Sequence, residues 1–292
     1  MSFGRLVTAM VTPFDDQLNI DWETTGRVID YLIEEQAAES LVVSGTTGES
    51  PTLSDEEKVE LFRFAVKRAA GRAKIIAGTG SNETAHSIQL TKKAEEAGVD
   101  GILLVAPYYN KPSQEGIYQH FRVIAEATKL PVMIYNVPSR TVTSISVATT
   151  LRLAQIPNIV ATKECAGLEQ VTEIVSGAPE GFVVYSGDDS LTLPVLSVGG
   201  YGIVSVASHV IGAQMKKLID AYLAGNVQEA ITLNQQCYPY FKGLFNCPHP
   251  VPNPVAVKHA LGLRGLPVGG VRLPLTGVNE AEAEFLQALM KA

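Results

Sequence analysis

Apolar positions along the chain fall into eight short, nearly continuous runs, separated by longer stretches in which apolar and polar residues mix. The runs are rich in valine, isoleucine and leucine and begin at Leu6, Ser40, Lys74, Gly101, Pro131, Asn158, Phe182 and Gly202. Because these runs are apolar throughout rather than alternating, they predict strands that are covered on both faces, as in a parallel sheet. The stretches between them predict amphipathic helices.

The segment "SDEEKVELFRFAVKRAAG" carries the clearest helix signals. Ser54 and Glu57 have the spacing of a capping box, and acidic residues fill the first turn, where they favour the helix dipole. Gly71 is expected to end the helix. The predicted buried face consists of Leu61, Phe64 and Ala65.

Eight strand–helix units predict an α/β fold of the (β/α)8 TIM-barrel type, with a doubly wound open sheet as the alternative. From about residue 225 the pattern contains helices only. We therefore predict a catalytic barrel over residues 1–224 and a C-terminal helical domain over residues 225–292.

Composition narrows the functional classes. The chain has 292 residues, and its net charge of -7 offers no basic stripe for nucleic acid. No apolar run approaches the ~20 residues of a membrane helix, and the N-terminus resembles a strand rather than a secretion signal. The three cysteines, Cys165, Cys237 and Cys247, form no CxxC pair, which favours a reducing cytoplasm.

Barrel enzymes place their chemistry at the C-terminal ends of the strands. In "NIVATKECAG", an apolar run leads directly into Lys163, and Tyr135 ends the preceding strand. A lysine in a dry pocket has a lowered pKa, so its free amine can attack a carbonyl substrate and form a Schiff base. The alternative is that Lys163 only pairs with a barrel carboxylate.

Two further motifs suit carboxylate ligands. "SGTTGES" lacks the lysine of a P-loop, and its backbone amides with the hydroxyls of Thr46 and Thr47 suit a carboxylate. Arg140, just past strand five, could hold a second carboxylate with two hydrogen bonds. The alternatives are a turn that only caps the next helix and a surface salt bridge.

Metal chemistry has little support in the sequence. The five histidines are scattered, and "NCPHP" brings only Cys247 and His249 together. We predict no metal site, and we interpret Cys165 as a small buried apolar residue rather than a nucleophile.

Together, "GTTGES", "APYYNKPSQEG", "YNVPSR", "KE" at Lys163, "SGDD" and "GIVSVAS" resemble the family of 4-hydroxy-tetrahydrodipicolinate synthases, also called dihydrodipicolinate synthases. The resemblance runs from about Leu6 to the C-terminal helices. The related N-acetylneuraminate lyases share the barrel and the lysine, but they tend to have a different segment at "YNVPSR". Arg140 is therefore the most discriminating residue within the superfamily.

The resemblance implies a lyase that condenses pyruvate, held as a Schiff base on Lys163, with L-aspartate 4-semialdehyde in diaminopimelate and lysine biosynthesis. Tyr135 would donate and accept protons in a relay with Thr46 and with Tyr109, which a neighbouring subunit would contribute. Three residues would bind substrate: Thr47 the pyruvate carboxylate, Arg140 the carboxylate of the semialdehyde, and Val204 the pyruvate, at a position where the family usually has isoleucine.

The resemblance also implies a cytoplasmic homodimer or homotetramer with no cofactor. The two alternative functions are a keto-acid sensor without activity and a metal-dependent barrel aldolase. Feedback by lysine is expected to be weak or absent. Where lysine-inhibited members have a glutamate and two histidines, this chain has His86, Asp55 and Lys58, and Pro51 replaces a small residue.

Overall fold

Eight parallel strands close into a barrel in chain order, with β8 hydrogen-bonded to β1. The computed structural model describes residues 3–291; Met1, Ser2 and Ala292, which belong to the two predicted domains, lie outside the described residues. The predicted barrel is confirmed, and the open doubly wound sheet is wrong. The strands are β1 Leu6–Ala9, β2 Ser40–Val43, β3 Lys74–Gly78, β4 Gly101–Val105, β5 Val132–Asn136, β6 Ile159–Glu164, β7 Val183–Ser186 and β8 Gly202–Ser205.

Nine helices follow the strands within the barrel part of the described chain, and three more form the C-terminal segment. The barrel helices are α1 Trp22–Glu34, α2 Asp55–Ala69, α3 Thr84–Glu96, α4 Gln114–Glu126, α5 Pro138–Thr141, α6 Val147–Leu153, α7 Leu168–Gly177, α8 Thr192–Ser197 and α9 Ser208–Leu223. The C-terminal helices are α10 Val227–Gly243, α11 Val255–Leu263 and α12 Glu280–Lys291. Within residues 3–291, every helix is too short or too polar to cross a membrane.

Helix α2 forms as its sequence predicts. The Ser54 side chain accepts from the Glu57 amide, and the Glu57 carboxylate accepts from the Ser54 amide, so the capping box is present. The helix ends at Ala70, which adopts the left-handed conformation just before the predicted Gly71. Phe62 is fully buried, whereas Phe64 is only partly buried and packs its ring 5.3 Å from that of Trp22. Leu61 and Ala65 of the predicted face are buried, and Phe64 lies at the edge of this face.

Two apolar layers position the site. Alternate strand residues fill the barrel interior, including Val42, Met133, Ala161 and Val204. The outward residues pack against the surrounding helices, and this outer core continues into the C-terminal helices through Phe241. The C-terminal segment therefore lies against the barrel and shares its core.

Candidate active site

Lys163 lies near the C-terminal end of β6, where the strand register sets it beside Tyr135 of β5. Its side chain is buried, and its Nζ lies 4.3 Å from the centroid of the Tyr135 ring. Burial lowers the pKa of Lys163. Among residues 3–291, no carboxylate forms an ion pair with Lys163. Asp189 is not in contact with it and only opposes the lowering of its pKa by the attraction between the two charges. The geometry therefore does not support the alternative in which Lys163 only pairs with a barrel carboxylate.

Tyr135 is buried beside the amine, and its hydroxyl is near the Thr46 side chain, with which it lines the cavity over Lys163. Burial is the main cause that raises the pKa of Tyr135, so the phenol stays protonated at neutral pH. A neutral phenol can both donate and accept a proton through its hydrogen bonds. The structure therefore brings together Lys163, Tyr135 and Thr46, three of the four predicted catalytic residues.

Gly187, in "SGDD" after β7, leaves room for the lysine. A Cβ atom at this position would lie 3.0 Å from Lys163 Cε and would collide with the Cys165 sulfur. Cys165 is half-buried and lines the cavity above Lys163, so it is not the core residue we expected. Burial raises the pKa of its thiol to about 11, which keeps the thiolate form scarce.

The loop after β2 presents donors to the same cavity. Within the described chain, the backbone N–H groups of Thr46 and Thr47 donate to no protein acceptor, whereas those of Gly48, Glu49 and Ser50 close the turn. Thr46 and Thr47 both line the cavity. Backbone N–H groups that lack a protein acceptor, beside two hydroxyls, form the kind of concavity that holds a carboxylate.

The cavity over Lys163 has a volume of about 320 Å³ and lies between the barrel and the C-terminal helices. The barrel contributes Lys163, Tyr135 and the threonine loop. The C-terminal segment covers it with Phe241, Lys242, Phe245, Asn246 and Asn253. Sequence reasoning missed these covering residues because no motif connects them to the strand ends.

Arg140 lies on the short helix α5 and faces this cavity. The segment that carries it is fixed by Asn136, whose amide donates to Glu164 at 2.9 Å and accepts from the Ile145 amide at 3.0 Å. Burial raises the pKa of Glu164 to about 7. A surface ion pair, the alternative for Arg140, is not formed among residues 3–291.

The two remaining predicted residues lie elsewhere. Val204 is buried in the barrel interior with Tyr135, on β8. Tyr109 is 89% exposed and has a positive φ of 73°, and it lines neither this cavity nor the adjoining one. Within one chain, Tyr109 is therefore not brought together with the other site residues.

A larger cavity of about 470 Å³ adjoins the first through Thr46, Tyr135 and Arg140. His86 and Lys58 line it, and both contact Asp55: the His86 Nε2 lies 2.9 Å from one carboxylate oxygen, and the Lys58 Nζ lies 3.8 Å from the other. Burial lowers the pKa of Lys58. The Asp55 carboxylate is thus already engaged by two basic side chains.

Two side chains of the C-terminal segment anchor the threonine loop. Asn253 Nδ2 donates to Thr47 Oγ1 at 2.9 Å, and Lys258 Nζ lies 2.8 Å from the Glu49 carboxylate in a fully buried ion pair. The sequence did contain one signal for the second contact. Lys258 lies in the apolar run "NPVAVKHALGL", as Lys163 lies in its own.

Metal coordination has no counterpart in the described residues. No cluster of three or more His, Cys, Asp or Glu side chains in residues 3–291 has the arrangement of a metal site. In the "NCPHP" segment, Cys247 is buried, and His249 instead forms a hydrogen bond with Glu282 at 2.8 Å.

Comparisons with known proteins cover nearly the whole chain. Residues 2–292 match the model of the dihydrodipicolinate synthetase family. A 4-hydroxy-tetrahydrodipicolinate synthase of Bacillus subtilis is 58% identical over 97% of this chain and 96% of its own length. One of Bacillus velezensis is 56% identical over 99% of each. The crystal structure of a Bacillus anthracis dihydrodipicolinate synthase is 52% identical and superimposes with a TM-score of 0.97, covering 100% of this chain and 99% of that one.

Proposed function

The chain belongs to the dihydrodipicolinate synthetase family, and on that premise we propose that Lys163 is the residue through which it acts. The enzyme condenses pyruvate with L-aspartate 4-semialdehyde to give 4-hydroxy-tetrahydrodipicolinate and water, in diaminopimelate and lysine biosynthesis. The relatives are named as synthases, which favours the enzyme over a keto-acid sensor. The single observation that carries the role of Lys163 is a buried, unpaired amine against the Tyr135 ring.

In the proposed reaction, the Lys163 amine attacks the keto carbon of pyruvate, and loss of water gives the imine. Removal of a methyl proton gives an enamine, whose carbon forms the new bond to the aldehyde carbon of the second substrate. The aldehyde oxygen takes up a proton. The amino group of the second substrate then displaces Lys163, which closes the ring and restores the free enzyme.

Tyr135 is the proposed proton donor and acceptor for these steps, because its ring lies against the Lys163 amine and its hydroxyl is near the Thr46 side chain. Tyr109 is proposed to extend this relay in a neighbouring subunit. Its support is geometric, since an 89% exposed tyrosine with a positive φ projects away from its own cavity. A homodimer, or a dimer of dimers, in the cytoplasm is proposed with it.

The substrates are proposed to bind through three residues. Thr47, with the backbone amides of its loop that have no protein acceptor among residues 3–291, holds the pyruvate carboxylate. Val204, which is buried with Tyr135 in the barrel interior, is proposed to contact the pyruvate. Arg140 receives the carboxylate of the semialdehyde from the open side of the cavity. We also propose that the catalytic barrel spans residues 1–224 and the helical domain residues 225–292.

Borohydride reduction with pyruvate tests the nucleophile. The intact mass should increase by one reduced adduct per chain, and Lys163→Ala should abolish the increase. Lys163→Arg should abolish it too, because a guanidinium stays protonated and cannot attack. Lys217→Ala, which removes an exposed lysine of α9, should keep the full adduct. An unmodified wild-type protein, or an adduct on Lys163→Ala, would contradict the proposal.

Arg140→Ala should weaken the second substrate selectively. Loss of a charge-assisted hydrogen bond costs about 1.5–3 kcal/mol, so the KM for the semialdehyde should rise by about tenfold or more while pyruvate binding changes little. Arg152→Ala is a matched control, because Arg152 pairs with Glu115 on the surface outside both cavities. Equal losses for both substrates would mean that Arg140 supports the cavity as a whole.

A further inference from the structure

The hydrogen bond between Asn253 and Thr47 connects the C-terminal segment to the substrate loop across 206 residues of sequence. Both side chains are buried, at 9% and 2% exposure, and both line the cavity over Lys163. The bond is 2.9 Å long, and the Asn253 amide is the donor. Its position makes it part of the pyruvate side of the site.

This donor determines what the Thr47 hydroxyl can do. A hydroxyl has one proton to donate and two lone pairs that accept. The Asn253 amide occupies one lone pair of Thr47 Oγ1, and within residues 3–291 the hydroxyl donates to no protein acceptor. Its proton therefore remains for a ligand that only accepts hydrogen bonds, and an ionised carboxylate is such a ligand.

We propose that Asn253 is a positioning residue for pyruvate binding: it keeps the Thr47 hydroxyl oriented as a donor towards the substrate carboxylate. The inference rests on the proposed function, in which Thr47 binds that carboxylate. Asn253 acts on the substrate through its hydrogen bond to Thr47. Its effect is on pyruvate affinity rather than on the steps at Lys163.

The Lys258–Glu49 ion pair holds the backbone of the same loop independently of Asn253. Lys258 holds Glu49 of the same loop by a buried ion pair, and the Glu49 carboxylate also accepts from the Arg272 amide at 2.9 Å. The backbone of the loop is thus fixed without Asn253. Replacing Asn253 should change the direction of one hydroxyl more than the shape of the loop.

Asn253→Asp is the sharpest test, because the two side chains have almost the same shape. A carboxylate cannot donate, so it would instead accept a hydrogen bond from the Thr47 hydroxyl. It would also place a negative charge close to the carboxylate of pyruvate. The pyruvate concentration that gives half-maximal imine trapping should rise about tenfold or more. Asn253→Ala should give a smaller rise, since the hydroxyl would become free to rotate. The KM for the semialdehyde and the thermal midpoint should change little.

Asn279→Asp is the matched control. Asn279 lies in the same C-terminal segment, caps α12 by accepting from the Glu282 amide at 3.0 Å, and lines neither cavity of the site. The same change of side chain there should leave pyruvate binding unchanged. If Asn253→Asp does not fold, Asn253→Ala carries the same comparison.

A double-mutant cycle with Thr47→Val separates the possible results. If Asn253 acts through Thr47, Asn253→Ala in the Thr47→Val background should not weaken pyruvate binding further. Equal losses in both backgrounds, or parallel losses of both substrates with a lowered thermal midpoint, would overturn the positioning role while leaving the role of Thr47 intact. Unchanged pyruvate binding in Thr47→Val alone would overturn the proposed role of Thr47, and the inference with it.

Discussion

Lys163 and Lys258 are both buried lysines in apolar segments, and their surroundings differ. Lys258 lies 2.8 Å from the Glu49 carboxylate, so its charge is matched. Lys163 has no ion pair among the described residues and faces an aromatic ring. A matched lysine contributes structure, whereas an unmatched one in a cavity is available as an amine.

The pH dependence of imine formation should report this difference. Because burial lowers the pKa of Lys163, the free amine becomes available at a lower pH than for an ordinary lysine. The rate of adduct formation with pyruvate and borohydride should increase with pH and reach its half-maximum below 10.5, the ordinary lysine value. Rates measured by intact mass over a pH series provide the check. A half-maximum at or above the ordinary value would mean that solvent screens Lys163.

Lysine should inhibit this enzyme weakly or not at all at millimolar concentrations. His86 and Lys58, which line the larger cavity, already engage the Asp55 carboxylate, and the Glu83 carboxylate there accepts from the backbone amides of Ala85 and His86, so little free negative charge is left for a cationic ligand. Initial rates over a lysine titration measure this. Strong inhibition at sub-millimolar lysine would show that another set of ligands in the cavity holds the ammonium group.

At the scale of the element, the buried Glu49–Lys258 ion pair joins the β2 loop to α11. Breaking it should cost far more unfolding free energy than breaking an exposed ion pair. Lys258→Met would leave Glu49 buried and unpaired, which costs about 3–5 kcal/mol of unfolding free energy. Lys216→Met breaks the more exposed pair with Asp220 and should cost about 0–1 kcal/mol. Urea unfolding of the two variants gives the comparison. Equal losses would mean that Glu49 finds another partner when Lys258 is removed.

Elements were predictable where local chemistry determines them. The eight strands follow from continuous apolar runs, and α2 follows from Ser54 and Glu57, which need only their own neighbours. The neighbouring positions of Lys163 and Tyr135 were predictable because both lie at strand ends. Asn253 was not, because its partner Thr47 is 206 residues away and nothing local marks the contact. The partial exposure of Cys165 was not predictable, because it depends on a cavity formed by residues distant in sequence.

At the scale of the whole molecule, His209 makes stability depend on acid. Its ring is fully buried at the junction of the first and last strands, where Nε2 accepts from the Val11 amide at 3.2 Å and Nδ1 donates to the Val206 carbonyl at 2.8 Å. Burial lowers the pKa of His209 to about 4. A proton on Nε2 would remove the acceptor that Val11 needs.

Stability should therefore decrease as the pH falls. The pKa of His209 in the folded protein lies below 6.5, the value in the unfolded chain. The stability that the neutral His209 ring contributes is therefore complete above pH 6.5 and is lost as the pH falls towards 4. By about pH 5 the loss from this group should be on the order of 2 kcal/mol. Urea unfolding of the wild type and His209→Gln across this range tests it, because an uncharged amide can replace both hydrogen bonds. Equal slopes for the two proteins would assign the acid sensitivity to other groups.

The pairing of Glu49 with Lys258 also has a consequence for protein synthesis. The ribosome makes Glu49 early and Lys258 only 209 residues later, a delay of roughly 10–40 seconds at about 5–20 residues per second. Until then the substrate loop lacks the partner that neutralises its carboxylate. A nascent chain can therefore make every strand of the barrel before the Glu49 carboxylate meets its buried partner, and a prematurely terminated chain lacking α11 does not contain that partner. A part of the chain that is translated late thus supplies the partner of a loop that is made early.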